Sequence, residues 1–269
     1  MSTLSLESLK SGSRLERVLA SGAFAVTAEL GPPKSADVAL ISAKAKHLAG
    51  SVDAANITDN QTAIVRMSSI AAGALALQQG VEPVIQITCR DRNRIAIQSD
   101  VLGAYALGLR NILCLSGDHQ SFGNHSTCKN VYDIDSINLI RIARMMRDNR
   151  VFENNKLIPK FAPDIFIGAV ENPFAPPYDY RPMRLAKKVV AGAQFIQTQL
   201  IYNVDRFREF MRRVVDLGLH EKVAIFAGVG PMKSVRVAEY MKTEVAGMDV
   251  PDAVVARMTG LSKEDQQKA

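Results

Sequence analysis

A carboxyl group that could donate a proton follows the first apolar run of the chain. Glu29 precedes Leu30 and the rigid turn Gly31-Pro32-Pro33. A carboxyl flanked in this way can be partly desolvated, which raises its pKa and suits it to proton donation near neutral pH. The spacing equally allows a strand-end glutamate that pairs with Lys34. The sequence therefore marks Glu29 as a candidate general acid without separating the two interpretations.

Asp118 is a second carboxyl at the end of an apolar run, in Ser116-Gly117-Asp118. Gly117 would let the backbone approach a ligand closely, because glycine has no Cβ. An aspartate in this position is also a common turn cap. Both roles stay open.

Two further sets of residues could bind a ligand, one through side-chain amides and the other through positive charges. In Gln197-Thr198-Gln199, alternation along a strand would point the two glutamines to one side, where an amide can donate to and accept from a heterocycle. The alternative is a polar strand end exposed to water. Arg184, Lys187 and Lys188 share one helical face and could bind a phosphate or pyrophosphate, or form a solvated face.

Histidine and cysteine residues do not predict a metal site. His119, His125 and Cys128 are loosely spaced and do not define a zinc site, so we expect no metal. The three cysteines lack CxxC spacing, which favours a reducing, cytoplasmic location.

The elements that would position these residues are apolar runs that end in polar side chains. Because every strand of a βα barrel delivers its carboxyl end to one face, these polar ends would converge on one rim. The six runs are Ala23 to Glu29, Asp53 to Thr58, Val84 to Thr88, Ile112 to Asp118, Ile165 to Asn172 and Phe195 to Gln199.

Seven βα units can be read from the alternation of strand and helix patterns, which predicts an α/β protein of the (β/α)8 TIM-barrel type. No eighth strand is visible, and the polar residues 262–269 look like the opening turns of a helix. We expect one domain over residues 1–269, incomplete at its C-terminal end. An open doubly wound sheet is the alternative, but no GxGxxG follows a strand.

The predicted strands and helices have these bounds: Phe24 to Leu30, Ala36 to Leu48, Ala54 to Thr58, Thr62 to Gln78, Val84 to Thr88, Arg94 to Ala106, Ile112 to Ser116, Ile134 to Met146, Ile165 to Val170, Met183 to Ala191, Phe195 to Thr198, Val204 to Val215, Val223 to Ala227 and Ser234 to Thr243, followed by the short segment Asp252 to Met258.

Charge and hydropathy exclude several partners. The net charge is +6, but the basic residues are scattered and not gathered with aromatics, so nucleic-acid binding is not expected. The N-terminus lacks the apolar core of a signal peptide, and no run of about 18 apolar residues predicts a membrane span. A basic rim suits a small anionic ligand.

Several motifs together resemble the methylenetetrahydrofolate reductase family, and they occur in the order found in that family. They are Ala28-Glu29-Leu30-Gly31-Pro32-Pro33-Lys34, Ile57-Thr58, Ile87-Thr88-Cys89, Ser116-Gly117-Asp118, Ala191-Gly192-Ala193 and Ile196-Gln197-Thr198-Gln199. The resemblance implies a flavin-containing (β/α)8 barrel, with FAD or FMN, that reduces methylenetetrahydrofolate to methyltetrahydrofolate using hydride from NAD(P)H.

The resemblance also implies roles for individual residues. Glu29 matches the general acid of the family, Asp118 matches the aspartate near the flavin pyrimidine edge, and Gln199 matches the residue that binds the pterin. The matching cofactor contacts are Thr58, Gly117 and Lys188, with Arg184 and Lys187 at neighbouring positions.

Three cofactor-binding positions depart from the family pattern. Gln86 replaces a frequent histidine, Ser116 replaces a frequent arginine, and Asn172-Pro173 replaces His-Pro. Some bacterial members that resemble this chain work beside a zinc-containing companion protein. We therefore expect such a companion, or another electron-donating one, and we expect the chain to form an oligomer.

Two other functions remain: an electron-transfer subunit that carries flavin without folate activity, and a flavin-free pterin-binding barrel that transfers methyl groups.

Overall fold

A computed structural model describes residues 9–245 and 247–261 of the chain. Strands and helices alternate along it from the first strand onward. The strands are β1 (Thr27–Leu30), β2 (Ala54–Ile57), β3 (Pro83–Thr88), β4 (Asn111–Leu115), β5 (Phe166–Glu171), β6 (Phe195–Leu200) and β7 (Ala224–Gly228). The helices are α1 (Arg14–Ala20), α2 (Val38–Leu48), α3 (Ser69–Gln78), α4 (Arg94–Ala106), α5 (Ser136–Arg144), α6 (Tyr180–Ala191), α7 (Val204–Asp216), α8 (Val235–Thr243) and α9 (Asp252–Met258).

The repeated parallel βα unit confirms the predicted α/β class of the TIM-barrel type. Within the described ranges no strand follows β7, after which come α8 and α9. The helix opening predicted for residues 262–269 lies outside the described residues. None of the helices in the described part of the chain is long and apolar enough to cross a membrane.

Three local predictions differ from the structure. The first strand begins at Thr27, and Phe24, expected inside it, is 91% exposed. The helix expected from Thr62 begins at Ser69, because Thr62 and Ala63 adopt left-handed φ angles of 56° and 54°. Helix α1 was not predicted, although Ser13 caps it with a side-chain oxygen that accepts from the Glu16 amide.

Contacts divide the chain into two compact units. The first contains the described residues up to Ala169 together with Val190–Gln194. The second contains Val170–Val189 and the described residues from Phe195 onward. The expectation of one domain over residues 1–269 stays a prediction.

In the first unit, strands that follow each other in the chain are neighbours in a parallel sheet from β1 to β5. Leu30, Ala55 and Ile57 pack with buried residues of α2 and α3, so this face of the sheet is covered by helices. Side chains alternate along a strand. Glu29 and Asn56, which are register partners, therefore lie together on the opposite face.

In the second unit, β6 and β7 pair in parallel, and their register shifts between Gln197 and Leu200. A separate apolar cluster contains Met232, Ala238, Val250 and Met258, which come from the segment after β7 and from α8 and α9. This cluster packs the last two helices of the unit together.

Candidate functional site

Glu29 lies one residue before the end of β1, on the sheet face away from α2 and α3. Its Oε1 accepts a hydrogen bond of 3.4 Å from Nε2 of Gln61, in the loop after β2. The ion pairs among the described residues do not include Glu29, so the pairing with Lys34 that the sequence left open is not made. The carboxyl group instead faces an uncharged amide.

The surroundings of Glu29 raise the pKa of its carboxyl group. Desolvation by neighbouring protein atoms is the largest cause, although the side chain still reaches solvent. The hydrogen bond from Gln61 and the charge of Arg66 act in the opposite direction and are smaller. A carboxyl with a raised pKa keeps its proton closer to neutral pH, which is what a proton donor requires.

Asp118 connects the loops that follow β2 and β4. Its Oδ2 accepts a hydrogen bond of 3.1 Å from the amide of Thr62, and its side chain is exposed. The same two loops meet again at Gly123, where an added Cβ would lie 2.0 Å from the carbonyl oxygen of Ala63. Asp118 therefore caps backbone of another loop, while its carboxylate stays open to solvent.

Gly117 brings the loop after β4 against the end of β3. Its φ is +89°, and an added Cβ would lie 3.0 Å from Cβ of Arg90 and 3.1 Å from Cβ of Thr88. The Tyr132 hydroxyl donates to its carbonyl oxygen at 3.1 Å. The close approach that this glycine permits is therefore made to protein.

A charged network that the sequence analysis missed lies at the end of β3. The buried carboxylate of Asp59 accepts from Arg92 at 2.6 Å and from the Thr88 hydroxyl at 3.0 Å. Arg90 pairs with Asp91 at 2.7 Å and donates to the carbonyl oxygen of Asp118 at 3.1 Å. The sequence did contain a signal, because Thr58-Asp59-Asn60 follows β2 directly and Arg90-Asp91-Arg92 follows β3 after one residue.

The remaining predicted residues of the first unit lie within β3 or directly after β2 and β4. Gln86 Oε1 accepts from the amide of Asp59 at 3.2 Å. The carbonyl oxygen of Ser116 accepts from the amide of Arg90 at 3.0 Å. The Thr58 hydroxyl is buried and has no hydrogen-bond partner among the described residues. Together with Glu29 and Asp118, these groups belong to the ends of successive strands.

A groove of about 530 Å³ lies beside the loops that follow β1 and β2. Its apolar lining includes Val38, Val65 and Leu75, and its cations are Lys34 and Arg66. Arg66 also donates to the carbonyl oxygen of Pro32 at 3.1 Å, which holds the two loops together. The groove can accept a ligand with an apolar body and an anionic end.

In the second unit, Lys188 is held by Glu171. Nζ of Lys188 lies 2.8 Å from Oε2 of Glu171, and both side chains are buried. The ammonium also donates to the carbonyl oxygen of Val170. Burial lowers the pKa of Lys188, and the Glu171 carboxylate opposes that shift. The neighbouring Lys187 is instead exposed and donates to the Tyr180 hydroxyl at 3.0 Å. The cations predicted to share one face of α6 therefore lie in two different environments, one buried and one exposed.

The other predicted residues of the second unit make local contacts. Asn172 donates through Nδ2 to the carbonyl oxygen of Gly247 at 2.8 Å and accepts from the amide of Phe174. Gln199 Oε1 accepts from the amide of Leu200 at 2.9 Å. Arg184 is half-buried, and its charge contributes to lowering the pKa of Lys188.

The three cysteines are free, and they differ in exposure. Cys89 and Cys114 are buried, whereas Cys128 is exposed in the loop after β4. Burial raises the pKa of Cys89 to about 12 and also raises the pKa of Cys114. The two buried thiols are therefore held in their protonated, unreactive form.

The fold and these strand-end groups define an α/β barrel-type protein with acidic and amide side chains after its strands. A family model described as methylenetetrahydrofolate reductase matches residues 14–269. The chain belongs to the methylenetetrahydrofolate reductase family.

Two relatives with curated descriptions share this family name. A probable methylenetetrahydrofolate reductase (NADPH) of Caenorhabditis elegans is 24% identical over 206 residues, which cover 77% of this chain. Methylenetetrahydrofolate reductase 2 of Schizosaccharomyces pombe is 25% identical over 195 residues, or 68% of this chain. In both comparisons the match covers only 28% of the relative's own length.

A solved structure supports the fold at greater distance. An uncharacterized protein from Clostridium thermocellum, described as binding two copies of 5-methyl-5,6,7,8-tetrahydrofolic acid, aligns with a TM-score of 0.59 and 15% identity. The alignment covers 94% of this chain and 84% of that protein. At this identity the likeness concerns the fold.

Proposed function

We propose that this chain catalyses the reduction of methylenetetrahydrofolate to methyltetrahydrofolate with a bound flavin. The observation that carries the proposal is Glu29, a strand-end carboxyl group that still reaches solvent and whose pKa is raised by desolvation from neighbouring protein atoms, in a chain of this family. The names of the two relatives and the folate bound by the structural neighbour support the same substrate class.

Glu29 is the proton donor in this proposal. Opening the one-carbon bridge of the substrate requires a proton on a folate nitrogen, and the resulting cation at the one-carbon unit accepts a hydride. The carboxyl of Glu29 supplies that proton and is left as a carboxylate, which Gln61 and Arg66 stabilise. A bound flavin, FAD or FMN, would supply the hydride at this site, and NAD(P)H would be its reductant.

The polar residues near the ends of β2, β3 and β4 are suited to hydrogen-bond with the polar edge of a flavin. Thr58 has a buried hydroxyl without a partner among the described residues, as expected of a group that binds a ligand. Asp118 presents an exposed carboxylate, and its charge would disfavour an anionic reduced flavin and favour a cationic substrate. Gln86, Ser116 and Gly117 complete the proposed cofactor contacts of this unit.

The contacts proposed in the second unit rest on the family resemblance. Gln199 would bind the pterin, and Asn172, Arg184, Lys187 and Lys188 would bind the cofactor. Since Lys188 is already neutralised by Glu171, it would act on a cofactor phosphate only together with the nearby charges of Arg181 and Arg184.

The test is a half-reaction. The purified chain is examined for a flavin spectrum, the released flavin is identified by mass, and the reduced protein is mixed anaerobically with methylenetetrahydrofolate. We expect the substrate to reoxidise the flavin. A flavin that is reduced but never reoxidised by the substrate would contradict the folate activity and would favour an electron-transfer subunit. A colourless protein that binds folate would favour a flavin-free methyl-transfer barrel.

Glu29→Gln sharpens this test, because glutamine keeps the shape of the side chain and loses the proton. Removal of a general acid typically slows a reaction by about 10²–10⁴-fold. We expect a loss of that size in the half-reaction, with the flavin retained. Glu239→Gln, an exposed change on α8, is the matched control and should leave the rate unchanged. An unaltered rate in Glu29→Gln would remove Glu29 from the mechanism.

A further inference from the structure

Asn56 carries a buried amide group that nothing described so far uses. It lies in β2 and is 3% exposed, and neither Nδ2 nor Oδ1 has a hydrogen-bond partner among the described residues. The hydroxyl of Thr58, two residues further along the same face, is in the same condition. Asn56 in β2 and Thr58 directly after the strand therefore carry three unpartnered polar atoms among the described residues.

The position of Asn56 relates it directly to Glu29. The two residues are partners in the parallel register of β1 and β2. Their neighbours Leu30, Ala55 and Ile57 pack against the helices, so both Glu29 and Asn56 occupy the other face of the sheet. Carboxyl and amide groups side by side on one sheet face are chemically matched, because each contains both an acceptor and, when the carboxyl is protonated, a donor.

The buried amide of Asn56 needs a hydrogen-bond partner, because burial without one is costly in free energy. A buried polar group without a hydrogen bond costs about 1–3 kcal/mol, and an apolar side chain of the same shape would avoid that cost. Buried polar groups of native proteins are usually satisfied by protein or by an internal water that makes about three hydrogen bonds. Asn56, Thr58 and Glu29 offer the polar partners that such a water needs.

We propose that Asn56 is a positioning residue for Glu29, and that its amide holds an internal water which hydrogen-bonds to the Glu29 carboxyl group. The water fixes the direction of the carboxyl and solvates it after the proton has left. The inference rests on the proposed role of Glu29 as proton donor. It assigns no charge to Asn56, which does not titrate.

The charged groups around Glu29 are carried by other residues, so a change at Asn56 leaves them in place. Arg66 from the loop after β2 lowers the pKa of Glu29. Lys34 follows β1, and Lys44 on α2 donates to the carbonyl oxygen of Gly31. Asp118 follows β4 and binds Thr62, next to the Gln61 that donates to Glu29. An altered titration of Glu29 in an Asn56 variant would therefore report a lost hydrogen bond.

The experiment compares wild type with Asn56→Leu, using the full chain with its flavin. Carboxyl ¹³C resonances of labelled glutamate give the pKa of Glu29, and Glu29→Gln assigns the signal. We expect Asn56→Leu to fold, because leucine has a similar volume and replaces the buried amide and its water with apolar atoms. We expect it to raise the pKa of Glu29 further, because the carboxylate loses its water. We also expect the half-reaction to slow by about tenfold, as small misplacements of a reacting group do.

Two further variants keep the result interpretable. Asn111→Leu is the matched control, since this buried asparagine on β4 donates to Glu82 and to the carbonyl oxygen of Pro83. It should lose stability without changing the Glu29 titration. Asn56→Val replaces Asn56→Leu if the leucine variant does not fold, and it is likewise expected to raise the pKa of Glu29, because it also removes the amide that holds the water.

An unchanged Glu29 titration in a folded Asn56→Leu would overturn the inference. This result is distinguishable from failure of the proposed function. If wild type does not reduce methylenetetrahydrofolate but the titration still shifts in Asn56→Leu, then the folate activity fails and the link between Asn56 and Glu29 stands.

Discussion

Lys188 and Glu171 form a buried ion pair in which Nζ lies 2.8 Å from Oε2, with side-chain exposures of 4% and 1%. Arg181 approaches the same carboxylate at 3.8 Å. Removing two charges from water is costly, and the pair persists only because each member neutralises the other. The contact holds the end of β5 to α6, so Lys188 has a structural role whether or not it also meets a cofactor.

Loss of this lysine should therefore destabilise the chain. Lys188→Met leaves Glu171 buried beside more distant charges, and removal of one partner from a buried pair costs about 3–5 kcal/mol. Chemical denaturation should show a loss of that size. The exposed neighbouring change Lys187→Met should alter the free energy of unfolding by less than about 0.5 kcal/mol. Equal stability of the two variants would show that the pair contributes nothing.

The raised pKa of Glu29 predicts a pH-dependent stability. Its pKa lies above the ordinary value of 4.5, so the folded chain holds this proton more tightly than the unfolded chain. The contribution of Glu29 to stability is full below the unfolded pKa and is lost as pH rises through the folded pKa. Glu29→Gln has no such loss, so its stability relative to wild type should increase as the pH rises above the ordinary glutamate pKa of 4.5 and through the raised pKa of the folded chain.

Thermal unfolding of both proteins across that pH range measures this difference. Glu239→Gln serves again as the control, and its stability relative to wild type should not follow the same course. A difference between Glu29→Gln and wild type that is constant with pH would mean that the pKa of Glu29 is not raised in the folded chain.

The buried carboxylate of Asp59 should contribute strongly to the stability of the first unit. It accepts from Arg92, from the amide of Thr88 and from the Thr88 hydroxyl. Asp59→Ala leaves these donors without their acceptor, and a loss of about 3–5 kcal/mol in the free energy of unfolding is expected. Asp205→Ala, which removes a carboxylate from an exposed pair with Arg208, should cost less than about 1 kcal/mol.

Contact between the loops after β2 and β4 can be tested at Gly123. An added Cβ would lie 2.0 Å from the Ala63 carbonyl oxygen, so Gly123→Ala must displace one loop and should cost about 1–3 kcal/mol. Gly103→Ala is the opposite control, because nothing lies within 4 Å of an added Cβ inside α4. That variant should gain about 0.5–1 kcal/mol in chemical denaturation. A stable Gly123→Ala would show that the loops are free to separate.

The sequence predicted the elements well where periodicity alone decides them. The bounds of α4, Arg94–Ala106, and of the last helix, Asp252–Met258, agree with the structure. Prediction was poorer at Thr62, because an apolar helical pattern does not reveal left-handed φ angles. It was also poorer at Phe24, whose side chain continues an apolar run but is exposed before β1 begins.

The sequence predicted the residues of the candidate site that lie at strand ends, but not the contacts that these residues make. Glu29 and Asp118 were predicted as site residues because each lies at the end of an apolar run. Their contacts depend on how the strands pair, which the sequence does not show. The bond from Thr62 to Asp118 joins residues 56 positions apart, and no local pattern encodes such a contact. Lys188 lies in a helix with two other cations, and nothing in that spacing indicates that it forms an ion pair with a buried Glu171.

The different exposure of the three thiols provides a built-in spectroscopic handle. A maleimide fluorophore at neutral pH should attach to Cys128 alone, because Cys89 and Cys114 are buried and remain protonated. The tag would sit on the same segment as Asp118 and Gly123, with no engineered residue required. Its emission could follow movements of that segment in real time as ligands are added.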